Sequence, residues 1–402
     1  MTRGRWPQAL LPLWLAGCAA ARPSPPAPLT PAQIDAHIAE LLGRAEVPGL
    51  ALAVIRDGNI VHQRAYGFAD QAARRPLTTD TVLYGASLTK AAFAYLALQL
   101  AFEGTLDLDA PLPAQLARPL PEYPEWADLA GDPRWRQITP RMLLSHSSGL
   151  LNWRFINDDG KLDIKYPPGS RYVYSGEGIQ ILQLVVEERT GRGAAELMQE
   201  RVFDHFGMKD SSLTWRADFE GRTATEYDAR GEALGHRRRS RARAAGSMDT
   251  TLADYARFVA GVLQEARAGS PAVREMLRPQ LRIVSPQQFP SHFPGETGVN
   301  AAIELSAGLG WVVYRSPLGP AFFKEGNDDG TNNFVLGFPE RGAGLVMLSN
   351  SARADRMFFP AAEALLGTTC LPWFWMGYIP YDRGPLRTPA ARASPMGPSC
   401  LS

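Results

Sequence analysis

The chain has little of what marks metalloenzymes and nucleic-acid binders. Its six histidines form no HExxH or HxH pair, and its three cysteines, Cys18, Cys370 and Cys400, show no CxxC or Cys/His spacing. That argues against a metal centre, because a bound metal needs several nitrogen, sulfur or oxygen ligands brought close by recognisable spacing. An excess of either charge is also missing. Lys+Arg 42 against Asp+Glu 41 leaves a formal net charge of +1 over 402 residues, so no global field draws the protein to nucleic acid or to an acidic surface. No internal repeat is evident. What remains is an ordinary globular balance, 45% hydrophobic and 21% charged, enough for one large domain or two closely packed ones.

The N-terminus reads as an address. Arg3 and Arg5 precede the apolar run Ala9 to Ala16, which is too short to span a bilayer as mature protein and suits a secretory signal at residues 1–18. Its end, Leu15-Ala16-Gly17-Cys18, resembles the bacterial lipobox, which implies cleavage before Cys18 and lipidation of its thiol. The absence of an acidic residue at Ala19 favours the outer membrane by the same analogy. The expectation is an exported protein at the periplasmic face of the envelope. Residues 19–30 are proline-rich and suit a semi-rigid tether. An oxidising compartment would permit Cys370 and Cys400 to pair.

Folding is expected from residue 31 to residue 368. Thr30, Pro31 and Gln33 form a capping-box start for a helix with Ile34, Ile38, Leu41 and Leu42 on its buried stripe, ending near Gly43. Leu50 to Ile55 and Ile60 to Tyr66 flank Asp57-Gly58, a hairpin dipeptide. Gly310 to Arg315, Ala321 to Lys324, Phe334 to Phe338 and Ala343 to Leu348 supply further strands, followed by a helix over about 358–366. Between the two strand sets, roughly 88–265, the pattern is mostly helical, including 88–102, 179–189, 194–206 and 252–263. This order predicts an α/β (α+β) sandwich: one antiparallel sheet from N- and C-terminal strands, flanked by helices, with an inserted helical subdomain. Residues 369–402 carry no periodicity and read as a tail.

The sharpest local signal is Tyr84-Gly85-Ala86-Ser87-Leu88-Thr89-Lys90, directly before an almost wholly apolar helix. If Ser87 opens that helix, Lys90 shares its face. The helix N-terminus then aims unpaired N–H groups at any developing oxyanion. Burial would push the lysine toward neutrality and make it a usable base. An N-cap serine with a snorkelling lysine leaves the same pattern, so the rest of the chain has to decide. Tyr172-Val173-Tyr174-Ser175-Gly176 stands just before another helix. Phe322-Phe323-Lys324-Glu325-Gly326 ends a strand and is followed by the polar stretch Asn327 to Asn333, read as a loop.

Taken together, these three segments resemble the serine β-lactamase and penicillin-binding protein superfamily, in particular its class C-like branch of esterases and D-amino-acid peptidases. Ser87-Leu88-Thr89-Lys90 matches the SxxK motif. Tyr174-Ser175-Gly176 matches Tyr-x-Asn in its first position, and Lys324-Glu325-Gly326 takes the place of Lys-Thr-Gly. Val47-Pro48-Gly49, the segment from Leu143 to Leu150 and Ala245-Gly246-Ser247-Met248 also look familiar. The resemblance implies a serine hydrolase without cofactor that works through an acyl-enzyme on an ester or amide. Ser87 would be the nucleophile, with Lys90 and Tyr174 as proton-transfer partners. Lys324 would lower the Tyr174 phenol, and the N–H groups of Ser87 and Asn327 would hold the oxyanion. His146 is expected to be structural.

Two departures bear on substrate. Gly176 replaces an asparagine able to meet an acylamino carbonyl. Glu325 would repel a substrate carboxylate if it points into the site, or faces solvent if strand alternation turns it away. Both favour ester or uncommon amide substrates over β-lactams without excluding weak lactamase activity. The expectation is therefore a carboxylesterase-like hydrolase of a small-molecule or cell-wall-related ester or amide, with a D-amino-acid peptidase, DD-carboxypeptidase or β-lactamase as the alternative. A non-catalytic envelope-binding or sensor protein of the same fold is the alternative of another class. An α/β-hydrolase is disfavoured because Gly85-Ala86-Ser87-Leu88-Thr89 fails the last glycine of GxSxG. The basic run from His236 to Arg243 reads as a solvated loop rather than a nucleic-acid site.

Overall fold

The computed structural model describes residues 28–382 and Cys400. The expected signal peptide at residues 1–18, with Cys18, and most of the expected tether lie outside the described residues, as does most of the C-terminal stretch. Helix α1, Pro31–Ala45, starts on the expected capping box, with Thr30 and Gln33 bonded reciprocally. It runs past Gly43 and stops at Glu46, which turns left-handed (φ 54°).

Strands β1 (Gly49–Arg56) and β2 (Asn59–Asp70) form the predicted hairpin. Asp57 and Gly58 both have positive φ, which suits the right-handed twist of the paired strands. Two short strands follow, β3 (Arg75–Pro76) and β4 (Leu83–Tyr84). Far along the chain come β5 (Asp249–Thr250), β6 (Leu281–Arg282) and β7 (Ser306–Ala307). The last four are β8 (Val312–Ser316), β9 (Gly319–Asp328), β10 (Thr331–Phe338) and β11 (Ala343–Ser349). Nine of them make one sheet in the order β3-β2-β1-β11-β10-β9-β8-β7-β6, while β4 pairs with β5. The N- and C-terminal sets meet where β1 runs antiparallel to β11, from Leu50 opposite Ser349 to Ile55 opposite Gly344.

Alternation along these strands divides the apolar runs between two cores. Ala51, Ala53, Ile55, Val335, Val346 and Leu348 face the inserted subdomain. Leu50, Leu52, Val54, Phe334, Leu345 and Met347 face α1 and the C-terminal helix Asp355–Leu366. A sheet covered on both sides explains why β1 reads as a continuous apolar run rather than an alternating one.

Helix α2, Leu88–Phe102, is buried on nearly every side, as a helix apolar all round must be. Truncating Phe93 at its centre, fully buried, would cost about 3–5 kcal/mol. The inserted region is less helical than its pattern suggests. Pro111, Pro119, Pro121, Pro124 and Pro133 break the stretch after α2 into 3₁₀ turns. The run expected as a helix over 194–206 contains a π-helical segment at Gln199–Phe203. Regular helices persist as α3 (Gly176–Thr190) and α4 (Leu252–Arg267).

Two further expectations need correction. Residues 369–402 do not all form a tail. After α5 (Asp355–Leu366) the chain continues into the short helix α6 (Trp373–Met376), and Cys370, Leu371, Trp373, Phe374, Trp375, Met376 and Tyr378 are buried in the second core. Cys370 is joined to Cys400 by a disulfide. Tryptophan-rich composition, rather than periodicity, was the available signal here, because each indole removes a large apolar area from water.

The basic run is not wholly solvated either. Arg237, Arg238 and Arg241 are exposed, but the side chain of His236 is buried between carboxylates. Its Nδ1 is 3.3 Å from Glu226 Oε1 and its Nε2 is 3.2 Å from Asp249 Oδ1. Arg239 joins the same Asp249 oxygen at 3.2 Å and lies over the Tyr84 ring at 3.3 Å. Burial opposes charge on His236, but Asp249 and Glu226 outweigh it and raise the imidazole to about 9. A folded value above the ordinary one means the ion pairs stabilise fully below about pH 6.5 and fade as pH rises through about 9. His236→Gln should therefore lower Tm by several degrees at pH 6. Calorimetry from pH 6 to 10 should show the gap to the wild type closing above pH 9, and a constant gap would refute the charge-based account.

Candidate active site

Three segments more than 60 residues apart in sequence meet where β9 passes the start of α2. The nucleophile candidate is delivered by a strained bend. Ala86 is left-handed (φ 46°) without being glycine, a conformation that persists only when its surroundings enforce it. Here they do. Gly85 N–H donates to Met248 O at 2.8 Å, the Thr89 hydroxyl donates to Ala86 O at 2.6 Å, and Met248 N–H donates to Thr89 Oγ1 at 3.1 Å. Ser87 is thereby placed at the N-cap of α2 without a side-chain cap bond, leaving its hydroxyl for other partners.

Lys90, one turn on, donates to Ser87 Oγ at 2.9 Å and to Ala245 O at 2.5 Å. The snorkelling alternative fails, because Lys90 is 1% exposed. Burial lowers this amine from its ordinary value; Tyr174 works against that and Lys324 adds to it.

Tyr174 arrives from the segment before α3, and His146 holds it there. His146 Nδ1 accepts from Ser175 N–H at 3.2 Å, its carbonyl accepts from Val173 N–H at 2.7 Å, and its ring lies 4.4 Å from that of Tyr174. Burial and the two lysines keep His146 well below its ordinary value, so it serves as a neutral brace. Lys90 and Lys324 each sit 5.0 Å from the Tyr174 ring centroid, and Lys324 donates to the phenol at 3.4 Å. Burial acts to raise the phenol, but the lysines and Ser87 outweigh it and hold it below its usual range.

The third segment is a hairpin rather than a strand ending in a loop. β9 continues to Asp328 and β10 begins at Thr331, so most of the stretch from Asn327 to Asn333 is paired strand, with Asn333 opposite Gly326. Asn333 was hidden among these polar residues. Its side-chain amide donates to Tyr84 O at 2.9 Å and to Gly326 O at 3.0 Å, and its oxygen accepts from Ser349 N–H. It ties the serine-bearing segment to the strand. Gly326 permits the contact, since a Cβ there would lie 2.4 Å from Gly85 O and 3.0 Å from Leu88 N. The side chain of Asn327 exchanges hydrogen bonds with the Tyr378 hydroxyl at 3.2–3.3 Å.

Glu325 follows neither sequence expectation, for its side chain is 2% exposed and does not face solvent. Alternation sends it to the second core, where Gln288 donates to its Oε1 and Lys324 Nζ stands 3.7 Å away. It is enclosed behind the site rather than available to substrate.

The other departure, Gly176, has a neighbour that no motif announced. A Cβ on Gly176 would lie 2.7 Å from two ring atoms of Trp153, so the indole takes the space a side chain would need. That loop is fastened by Asn152, which accepts from Gly176 and Glu177 N–H, and by a double Arg154–Glu177 ion pair.

The β-lactamase family model matches residues 34–368. The chain belongs to the β-lactamase family. It is 34% identical to esterase EstB of Burkholderia gladioli over 44% of this chain and 50% of that protein, so the chain spans about half the length of that relative. It is 29% identical to lovastatin esterase of Penicillium rubens over 68% of this chain and 73% of that one. Among solved structures, the β-lactamase/D-alanine carboxypeptidase of Pseudomonas syringae superposes with a TM-score of 0.66 at 18% identity, covering 84% of this chain and 98% of that one. Such a likeness shows the β-lactamase-type fold, an antiparallel sheet with helices packed around it.

Within this β-lactamase-type fold, Gly326 sets the spacing between β9 and α2. Gly326→Ala must push the strand away from the Gly85–Leu88 backbone, and a displacement of about 1 Å at a reacting centre costs on the order of 10²-fold in rate. Labelling of Ser87 by a fluorophosphonate should slow by that order while Tm falls only modestly. An unchanged labelling rate would show that the close approach does not set the geometry.

Proposed function

We propose that the protein is a serine carboxylesterase acting through an acyl-enzyme on esters with apolar acyl groups. The observation that carries this reading is the indole of Trp153 against Gly176. Where an asparagine could meet an amide, this chain presents an apolar face. Trp153 stacks with Phe155, which is 75% exposed, and Phe289, 40% exposed, sets its ring edge-on to Tyr174 at 4.8 Å. Solvent-exposed aromatics linked by ring contacts to Trp153 and Tyr174 favour an apolar ligand, because covering them removes apolar area from water at about 25 cal/mol per Å².

The chemistry follows from the charges. As the Ser87 oxygen attacks the ester carbonyl, its proton passes to the Tyr174–Lys90 pair, whose basic form is favoured by burial of Lys90 and by the cation on Lys324. The tetrahedral oxyanion is met by N–H groups at the N-terminus of α2 and at Asn327. The proton is returned to the departing alkoxide, and water later attacks the acyl-Ser87 carbonyl with the same pair as base. The names of two relatives, esterase EstB and lovastatin esterase, support the ester reading.

The same proposal places the protein outside the cytoplasm, anchored through an acylated Cys18. The support is the Arg3–Cys18 pattern together with the Cys370–Cys400 disulfide, which suits an oxidising compartment. Metabolic labelling with a fatty acid should mark the wild type and not Cys18→Ala, and equal labelling of both would remove the anchor.

For the activity, p-nitrophenyl butyrate and octanoate, a chromogenic cephalosporin and a D-alanyl anilide should be compared on wild type and Ser87→Ala. We expect Ser87-dependent turnover of the esters, at least tenfold higher kcat/KM for octanoate than for butyrate, and loss of that preference in Phe155→Ser. Faster turnover of the cephalosporin or anilide would replace the esterase reading, and an inert, unlabelled Ser87 would point to a non-catalytic envelope protein.

A further inference from the structure

Glu325 is a carboxylate buried beside the reacting groups that none of the steps above uses. Its Oε1 takes a hydrogen bond from Gln288 and faces Lys324 Nζ at 3.7 Å, while its Oε2 has no hydrogen-bond partner and no solvent. An enclosed charge is kept only where a nearby opposite charge compensates for lost hydration. The groups around it come from every packed element: Lys324 on its own strand, Tyr172 and Tyr174 before α3, Lys90 on α2, Gln288 on the loop before β7, and Tyr378 after α6. The lid over the carboxylate is the C-terminal segment itself, since Gln288 N–H donates to Trp375 O at 2.8 Å and the Trp375 indole donates to Ser285 O at 3.0 Å.

We propose that Glu325 is a positioning residue that anchors the positive charge on Lys324 and so leaves the Tyr174–Lys90 pair as the acceptor of the Ser87 proton. The inference rests on the reading of Ser87 as nucleophile. Two similarly buried lysines lie at the same 5.0 Å from the Tyr174 ring centroid, and something must make them differ. Glu325 does so. For Lys324, burial opposes the charge but Glu325 and Tyr174 outweigh it, so that amine is raised; Lys90 has no carboxylate at contact distance among its hydrogen-bond partners and is lowered by burial. Lys324 is also tethered, donating to its neighbour's carbonyl, Glu325 O, at 2.8 Å. The side chain that seemed to select against substrate carboxylates acts from behind the site instead.

The test is the pH dependence of Ser87 labelling by a small fluorophosphonate, which is independent of acyl preference. In the wild type the alkaline limb marks loss of the Lys324 charge. Glu325→Gln keeps the shape and the contact with Gln288 but leaves Tyr174 alone to oppose burial of Lys324. Its alkaline limb should move down by about one pH unit or more, while the acid limb stays or moves slightly down, because removing a negative charge favours the phenolate. Glu325→Asp should restore most of the wild-type limb. A uniform drop in rate with the limb unmoved would mean a merely structural role and overturn the proposal. A measurement on the wild type guards against misfolding of the variants: the Cε resonance of Lys324 should remain at its charged position at pH values where that of Lys90 has already titrated. A neutral Lys324 at pH 9 would overturn the proposal. Absence of wild-type labelling at every pH would instead defeat the nucleophile reading beneath it.

Discussion

The structure depends on one close approach, the backbone of β9 at Gly326 against the backbone of residues 85–88. No side chain fits between them, because a Cβ on Gly326 would fall within 2.4 Å of Gly85 O. Asn333 locks the contact from the neighbouring strand by bonding both partners. Everything that surrounds Ser87 follows from this constraint. α2 has to be apolar all round, since its N-terminus is pressed to the sheet and its body runs through the first core. Ala86 has to accept a left-handed turn so that the chain can leave β4 and enter the helix at that contact.

On that frame the site is an arrangement of charge in a place without water. Two lysine amines, a phenol and a carboxylate are all nearly inaccessible, and each is intelligible only through the others. An isolated lysine at such depth would be neutral, and an isolated tyrosine would hold its proton more tightly than in water. Together they bias each other the other way, so the phenol is lowered while Lys324 is raised. A hydroxyl placed 2.9 Å from Lys90 in these surroundings has a proton acceptor that bulk solvent could not supply at neutral pH.

The C-terminal segment shows how far support for such a centre can reach. Trp375 and Tyr378 are remote from Ser87 in sequence, yet they fasten Gln288 and Asn327, which contact Glu325 and the end of β9. The second core therefore holds α1 and α5 to the sheet and also closes the far side of the site.

Much of this was legible from the chain alone. The capping box at Thr30, the Asp57-Gly58 hairpin, the apolar strands and the Ser87–Lys90 pair rest on spacing of a few residues, and backbone geometry converts such spacing directly into a cap, a turn or a shared face. Tyr174, by contrast, was singled out only by the resemblance of its segment to the family's Tyr-x-Asn motif. Other features had no local signature. The enclosure of Glu325 needed Gln288, 37 residues away, and the tie made by Asn333 needed Tyr84, 249 residues away. The indole beside Gly176, the burial of Trp375 and the inward turn of His236 likewise depend on which distant surfaces the sheet brings into contact. The sequence by itself determined which residue types and local elements were available for the chemistry. Only the tertiary structure decided which of them share a water-free space, because periodicity encodes direction along a strand or helix and says nothing of the partner that waits on the other side.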